Sequence, residues 1–267
     1  MKSIQELANL TGRTALVTGG GGHIGSEICS ALAELGADVV VLDADAEACQ
    51  RVAQNLVKEH GVRTLDLPID LSKEEQVLSV PDRVLESFTG LDILINNAAL
   101  VGASALKGWA VPFAQQSTQT WRMALEVNLT APFVLVQSCT ELLRQSGRGC
   151  IINVASIYGL VGPDDRLYEG TRLENPAAYS VSKGGLLQFT RWLATVLAPD
   201  IRVNSITPGG VWRNQPEEFR RRYEERTPLK RMATEEDLKG GVAYLASDLS
   251  AYVTGQNLVV DGGWTAW

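Results

Sequence analysis

The sequence predicts an α/β protein: one doubly wound parallel sheet of about seven strands, helices on both faces, a single domain over residues 1–267. Three observations carry that expectation. Short apolar, β-branched runs alternate with longer helical patterns. The runs are apolar on both sides, as parallel strands buried under helices are. A glycine-rich turn joins the first run to the first helix.

Taken in order, the strands read at 14–18 (TALVT), 39–42 (VVVL), 91–95 (LDILI), 150–154 (CIINV), 201–206 (IRVNSI) and 258–260, with a weaker one through 62–67. Helical patterns fill 25–36, 46–59, 73–88, 120–145, 177–198 and 235–247. No linker, low-complexity tract or internal repeat interrupts the alternation, which points to one domain.

A content of 45% hydrophobic and 21% charged residues is that of an ordinary globular chain with a sizeable core. No apolar run reaches the roughly eighteen residues a membrane span needs. Residues 1–13 have neither the basic start nor the apolar run of a secretory signal, so a cytoplasmic protein is expected. The net charge of −7 offers no basic face for nucleic acid. Cys29, Cys49, Cys139 and Cys150 lie far apart and only two histidines exist, His23 and His60. That inventory predicts buried free thiols and no metal site.

The first strand runs into TGGGGHIG, 18–25, and then into a helix. Glycines allow a tight turn and let backbone approach a pyrophosphate, and the helix N-terminus supplies free N–H groups for the anion. In this strand-to-helix context Gly19, Gly21, Gly22, His23, Ile24 and Gly25 are expected to hold a dinucleotide in a Rossmann-type fold. Asp43 follows at the end of the second strand, where a carboxylate accepts ribose hydroxyls and repels a 2′-phosphate. No Lys or Arg lies within 19–25, so NAD is expected over NADP. The competing role for Asp43 is to cap the next helix, which Asp45 can do instead.

Further signals follow: INNAA at 95–99, Asn128 in EVNLT, Ser156 in INVAS, Tyr179 and Lys183 in YSVSK, Pro208–Gly209, and the closing YVTGQNLVVDGGW. With the glycine turn, this ordered set resembles the short-chain dehydrogenase/reductase family, in its branch of about 250 residues, across nearly the whole chain. The resemblance implies a homotetramer (or homodimer) acting on a small-molecule substrate with a nicotinamide cofactor. It also implies that Asp70 and Leu71 meet the adenine, Asn97 and Ala98 the ribose and nicotinamide, and that Pro208, Gly209 and Val211 join the cofactor site. Asp70 is equally placed to cap the helix after Ser72.

The chemistry is intelligible from the residues. Tyr179 and Lys183 stand at i and i+4 on a helix, hence on one face. A free phenol, with a pKa of about 10, is a poor base at neutral pH, and a neighbouring ammonium is expected to pull that value down. Ser156, just past the fifth strand, can hold the substrate oxygen as charge develops. Asn128 is given by the resemblance a water relay toward Lys183. A catalytically idle NAD-binding scaffold would not need an acid/base tyrosine, and a nucleotide-sugar epimerase or dehydratase normally carries a larger C-terminal substrate domain.

Three departures from the family pattern stand out: His23 in place of a glycine, Ala99 closing NNAA, and Arg213 where a hydroxyl residue is usual. Ser156 and Tyr179 are 23 residues apart, longer than the family's usual spacing, and the extra stretch at 162–176 is polar and rich in turn formers. It is similar to that of reductases from bacterial surface-sugar pathways such as flagellin glycosylation. Residues 213–231 hold seven basic residues against four glutamates. Regions 160–176 and 210–231 are therefore expected to form the substrate loops, with Tyr158 and Arg213 as substrate contacts. Together they point to a sugar-derived or anionic substrate; the alternatives are solvated ion pairs and a reductase of apolar ketones. The tail 264–267, with two tryptophans, is expected to be buried by assembly.

Overall fold

The computed structural model describes residues 1–101, 104, 106–171 and 173–267. It begins with a short helix, α1 (Ile4–Ala8), that sequence reading missed; Ser3 and Glu6 cap it reciprocally. Alternation then starts: β1 (Thr14–Thr18), α2 (His23–Glu34), β2 (Asp38–Asp43), α3 (Ala46–His60) and β3 (Thr64–Pro68). The chain continues through α4 (Glu74–Leu78), α5 (Val80–Leu85), β4 (Ile93–Asn96), α6 (Thr118–Leu125), α7 (Ala131–Gln145) and β5 (Gly149–Val154). It closes with α8 (Ala177–Val196), β6 (Ile201–Pro208), α9 (Glu217–Arg226), α10 (Lys239–Ala246) and β7 (Asn257–Val260).

All seven strands are parallel, in the order β3-β2-β1-β4-β5-β6-β7. The order reverses between β1 and β4, and that crevice at the carboxyl ends is where such sheets bind ligands. Successive strand residues feed opposite faces. Ala15, Val17, Val39 and Val41 pack with Ile28 of α2, Val52 of α3 and Val242 of α10. Leu16, Val40 and Leu42 pack with Val77 of α4, Val84 of α5, Leu135 of α7 and Leu193 of α8. Both faces are apolar because both are covered.

Several predicted elements are divided. The 73–88 helix breaks into α4 and α5, because Pro81 lacks an N–H and starts a new helix. The 120–145 helix is three pieces: α6, a π-helical turn at Glu126–Thr130, and α7 with a proline in its first turn. The 235–247 helix opens with a tight turn, Glu235–Leu238, held by a Thr234–Asp237 capping box. Strand β4 starts at Ile93, since the Asp92 carboxylate accepts from Thr14 N (2.7 Å) and Arg148 Nε (2.7 Å).

The amino edge of the sheet is stapled by such polar contacts. Arg13 pairs with Asp248, and the Arg202 guanidinium donates to Leu245 O, Ser247 O and Ser250 Oγ. Among the described residues, no helix is long and apolar enough to cross a membrane and no cluster of metal-ligating side chains is present. The four cysteines are buried and unpaired; burial pushes the Cys139 thiol up to about 12. Trp264 is fully buried within its own chain, under the Arg226 guanidinium (4.2 Å), which corrects the expectation that assembly would have to cover it; Trp267 remains exposed.

Candidate active site

The glycine turn is shaped by close approach. A Cβ on Gly25 would stand 2.0 Å from Gly19 O, and Gly19 itself adopts φ +63°. Thr18 Oγ1 accepts from the amides of Asn97 and Ala98 (both 3.0 Å), while Asn97 Nδ2 donates to Thr18 O (2.9 Å) and Gly19 O (3.2 Å). The ends of β1 and β4 are thereby tied across the crevice. Thr18 in this role was missed; a hydroxyl at a strand end beside the turn is the signal that would have found it. Gly22 precedes α2 with no side chain capping the helix, so the first-turn amides remain available to a ligand.

A cavity of about 380 Å³ opens here. Of the expected cofactor residues, Gly19, Gly22, His23, Ile24, Gly25, Asp43, Asp70, Leu71, Asn97 and Ala98 line it. Gly21 lies behind: its N–H donates to Asp43 Oδ2 at 3.1 Å and a Cβ there would strike Ala48. Asp45, accepting from Ala48 N at 3.0 Å, caps α3, while Asp43, whose two oxygens accept from the amides of Gly21 and Asp45, lines the cavity. Asp70 Oδ1 holds Ser72 in a local turn, and those bonds lower its pKa. Pro208, Gly209 and Val211 do not line this cavity. Pro208 pairs with Val260, Gly209 packs on Asp261 and Tyr223, and Val211 bridges to Ala233. A helix start without a cap, a glycine cradle with no room for a Cβ at Gly25, and the Asp43 carboxylate beside the turn form a donor and acceptor set that fits a dinucleotide.

The predicted catalytic residues gather beside this cavity. Arg213, in its wall, lies close enough for its charge to act on the Tyr179 phenol, and Leu100 of the wall and Tyr179 pack on the same apolar cluster around Trp109. Ser156, two residues past the end of β5, caps a short turn, its Oγ accepting from Tyr158 N at 3.2 Å. One turn along α8 from Tyr179, Lys183 is buried; its Nζ donates to Val154 O at 2.7 Å and lies 5.8 Å from the centre of the Tyr179 ring. Burial lowers the ammonium pKa to about 8. The phenol behaves otherwise than expected. Burial raises its pKa, and the pulls of the Ser156 hydroxyl and the Arg213 charge offset this only in part. Desolvation of the phenolate wins in the protein alone.

Asn128 sits fully buried in the π-helical turn, a feature that recurs at functional sites. Its Oδ1 accepts from Leu100 N (2.7 Å), and its Nδ2 donates to Leu100 O (3.1 Å) and Ser182 Oγ (3.1 Å). Ser182 Oγ in turn donates to Tyr179 O at 2.8 Å. Both amide protons are thus engaged, and the side chain clamps the cavity wall to the turn of α8 that bears Tyr179.

The two expected substrate loops pack on each other. Arg226 pairs with Asp164, and Arg222 donates to the carbonyls of Arg166 and Glu169. Most of the basic cluster is engaged in ion pairs: Arg220 with Glu217, Arg221 with Glu225, Arg231 with Asp237. Arg213 differs, since it lines the cavity while its Nε donates to Glu235 at 3.2 Å. Tyr158 packs edge-on to Trp264, and its hydroxyl meets that of Tyr168, so it does not stand alone as a contact.

Comparison with known proteins agrees with this geometry. The family model described as enoyl-(acyl carrier protein) reductase matches residues 21–265. The chain is 34% identical to the cis-4-hydroxycyclohexanecarboxylate dehydrogenase of Sinomonas cyclohexanicum over 95% of its length and 97% of that protein's. It superposes, with a TM-score of 0.83 and 33% identity over 99% of this chain and 96% of the other, on a short chain dehydrogenase from Leptospira borgpetersenii with bound NAD+. A gluconate 5-dehydrogenase from Burkholderia cenocepacia, in complex with NADP and tartrate, gives 0.88 and 27% over 99% and 100%. Sheet order, glycine turn and overall likeness agree: the chain belongs to the short-chain dehydrogenase/reductase family of NAD(P)-dependent oxidoreductases.

Proposed function

We propose that Tyr179 is the general acid/base for hydride exchange between a nicotinamide and a secondary alcohol or carbonyl. The observation that carries this is the convergence of the Ser156 hydroxyl, the Tyr179 phenol and the buried Lys183 ammonium at the edge of the dinucleotide cavity. In the oxidative direction Tyr179 takes the alcohol proton and Ser156 holds the substrate oxygen. Lys183 stabilises the phenolate from behind the ring. When bound, the nicotinamide accepts or returns the hydride and, oxidised, adds a positive charge near the phenol. Asn128 is a positioning residue that fixes Leu100 against α8.

NAD is the preferred cofactor in this reading, on the strength of Asp43 alone, since the similar structures include both NAD+ and NADP complexes. The substrate is polar and sugar-derived or otherwise a hydroxy acid. Arg213 supports it, as do two similar proteins, the hydroxycyclohexanecarboxylate and gluconate dehydrogenases, which both act on hydroxy carboxylates. The protein works in the cytoplasm as a homotetramer. Phe133 of α7 and Val181, Trp192 and Val196 of α8 are all exposed, as is Val259 on the edge strand β7.

Tyr179→Phe tests the central role. It removes one hydroxyl and keeps the ring, so NAD binding and folding are retained while turnover falls by about 10²–10⁴-fold. Turnover like the wild type's would refute the mechanism.

A further inference from the structure

The insertion between Ser156 and Tyr179 does more than lengthen a surface loop. It turns back so that the Tyr168 hydroxyl lies 2.6 Å from that of Tyr158. Tyr158 follows Ser156 by two residues, and its amide donates to Ser156 Oγ at 3.2 Å. Asn175, at the end of the insertion, lies near both phenols and works to lower the pKa of each. Its Oδ1 accepts from Ser180 Oγ at 3.1 Å, next to Tyr179. The Tyr168 phenol is also near enough to act electrostatically on the Tyr179 phenol, so the pair stands beside the residues that handle the substrate oxygen.

Two hydroxyls in contact carry two protons, and their shared bond uses one. The other is left to donate, and both oxygens keep acceptor capacity. Both tyrosines are half-buried rather than sealed. They are also rigidly backed, Tyr158 by Trp264 at 6.3 Å between ring centres and Tyr168 by Phe219 at 5.5 Å. Burial raises the pKa of both, so they act as neutral donors and acceptors and not as a second base.

We propose that the Tyr158–Tyr168 pair is a hydroxyl-binding subsite beside the reacting carbon, selecting substrates that carry at least one further hydroxyl, as polyols and sugar acids do. This rests on the roles given to Ser156 and Tyr179. A substrate hydroxyl completes the pair's hydrogen bonds, whereas an apolar ketone or simple alcohol leaves a desolvated phenolic proton without a partner. Sites built to hydrogen-bond a hydroxyl discriminate strongly against analogues that lack it.

The test compares xylitol with cyclopentanol as alcohols, NAD+ as oxidant, in wild type, Tyr158→Phe and Tyr168→Phe. Each substitution removes one oxygen and keeps the ring, and melting curves check folding. For xylitol, either variant lowers kcat/KM by about 3- to 10-fold, carried mostly by KM, as expected for loss of one net hydrogen bond made in ground and transition states alike. The double variant is little worse than the singles, because the hydroxyls act as a unit. Cyclopentanol, if turned over, changes by less than about twofold in every variant. Equal losses on both alcohols, a loss in kcat with KM unchanged, no change on xylitol, or a wild type that prefers cyclopentanol would overturn the subsite. Failure of the parent reading looks different: Tyr179→Phe would retain turnover whatever the phenol variants do.

Discussion

Lys183→Met separates the electrostatics of the site from its packing. The methionine keeps most of the stem, which runs through the interior, and deletes the charge. In the native protein burial holds the ammonium pKa near 8, against an ordinary 10.5. At pH 7 that difference is a native-state cost of about 3 kcal/mol, taking 1.36 kcal/mol per pKa unit. The substitution relieves this cost but leaves Val154 O without its 2.7 Å donor, a loss of about 1–3 kcal/mol. The variant is therefore between equal in stability and about 2 kcal/mol more stable at pH 7. The sign with pH follows from the depressed value. Between about 8 and 10.5 the unfolded chain binds more protons than the folded one, so wild-type stability from this group rises with pH. By pH 10 the variant's advantage shrinks by about 2 kcal/mol. Urea unfolding of both proteins at pH 7 and pH 10 measures it, with turnover assayed alongside and expected to be lost in the variant. A variant more than about 3 kcal/mol less stable at pH 7, or a stability difference independent of pH, would refute the reasoning.

The same structure yields other expectations. Asp43→Ala removes the acceptor for the Gly21 amide and the carboxylate facing the cavity, so the ratio of kcat/KM for NAD over NADP falls by about tenfold or more, read from initial rates with each cofactor. Gly25→Ala forces a Cβ to within 2.0 Å of Gly19 O, so the turn shifts; calorimetric titration shows NAD affinity lost and melting shows a cost of about 1–3 kcal/mol. Trp192→Glu places a charge in the Phe133–Phe189–Trp192 aromatic stripe, and light scattering is expected to show a smaller assembly than that of the wild type; a monomeric wild type at micromolar concentration counts against the proposed assembly.

The strands were legible because a sheet covered on both faces writes itself as uninterrupted apolar runs, as at 39–42 and 150–154. Helix boundaries were less so, since Pro81 and the π-helical turn around Asn128 change the backbone over a few residues without disturbing the apolar period. Helix α9 was hidden by its charge: its ion pairs were visible as spacing, but its burial depends on Phe219 and Tyr223 meeting the distant insertion. At the site, residue types were readable and their partners were not. Nothing in the order of residues shows that Asn128 grips Leu100, that Tyr168 reaches Tyr158, or that Arg226 pairs with Asp164. Those are tertiary facts. The raised Tyr179 phenol is another, because its cause is desolvation, which depends on everything packed around the ring.

The stapled amino edge of the sheet has a consequence for how the protein can change. There, Asp92, Arg148, Arg13, Asp248 and Arg202 lock strand starts to one another through partly or fully buried charges, and altering one partner strands the other. At the carboxyl edge the strands deliver fixed anchor points, Ser156 and the glycine turn, from which loops depart over the surface. A loop there can be lengthened or exchanged at the modest entropic cost of closing a longer segment. One end of the sheet thus holds the scaffold to a single registration while the other is open to new substrates. Swapping residues 162–176 for a relative's shorter connection should rewrite the order of preferred alcohols, and its cost in stability should stay local, where the loss of Asp164 and Leu167 uncovers Arg226 and Phe219.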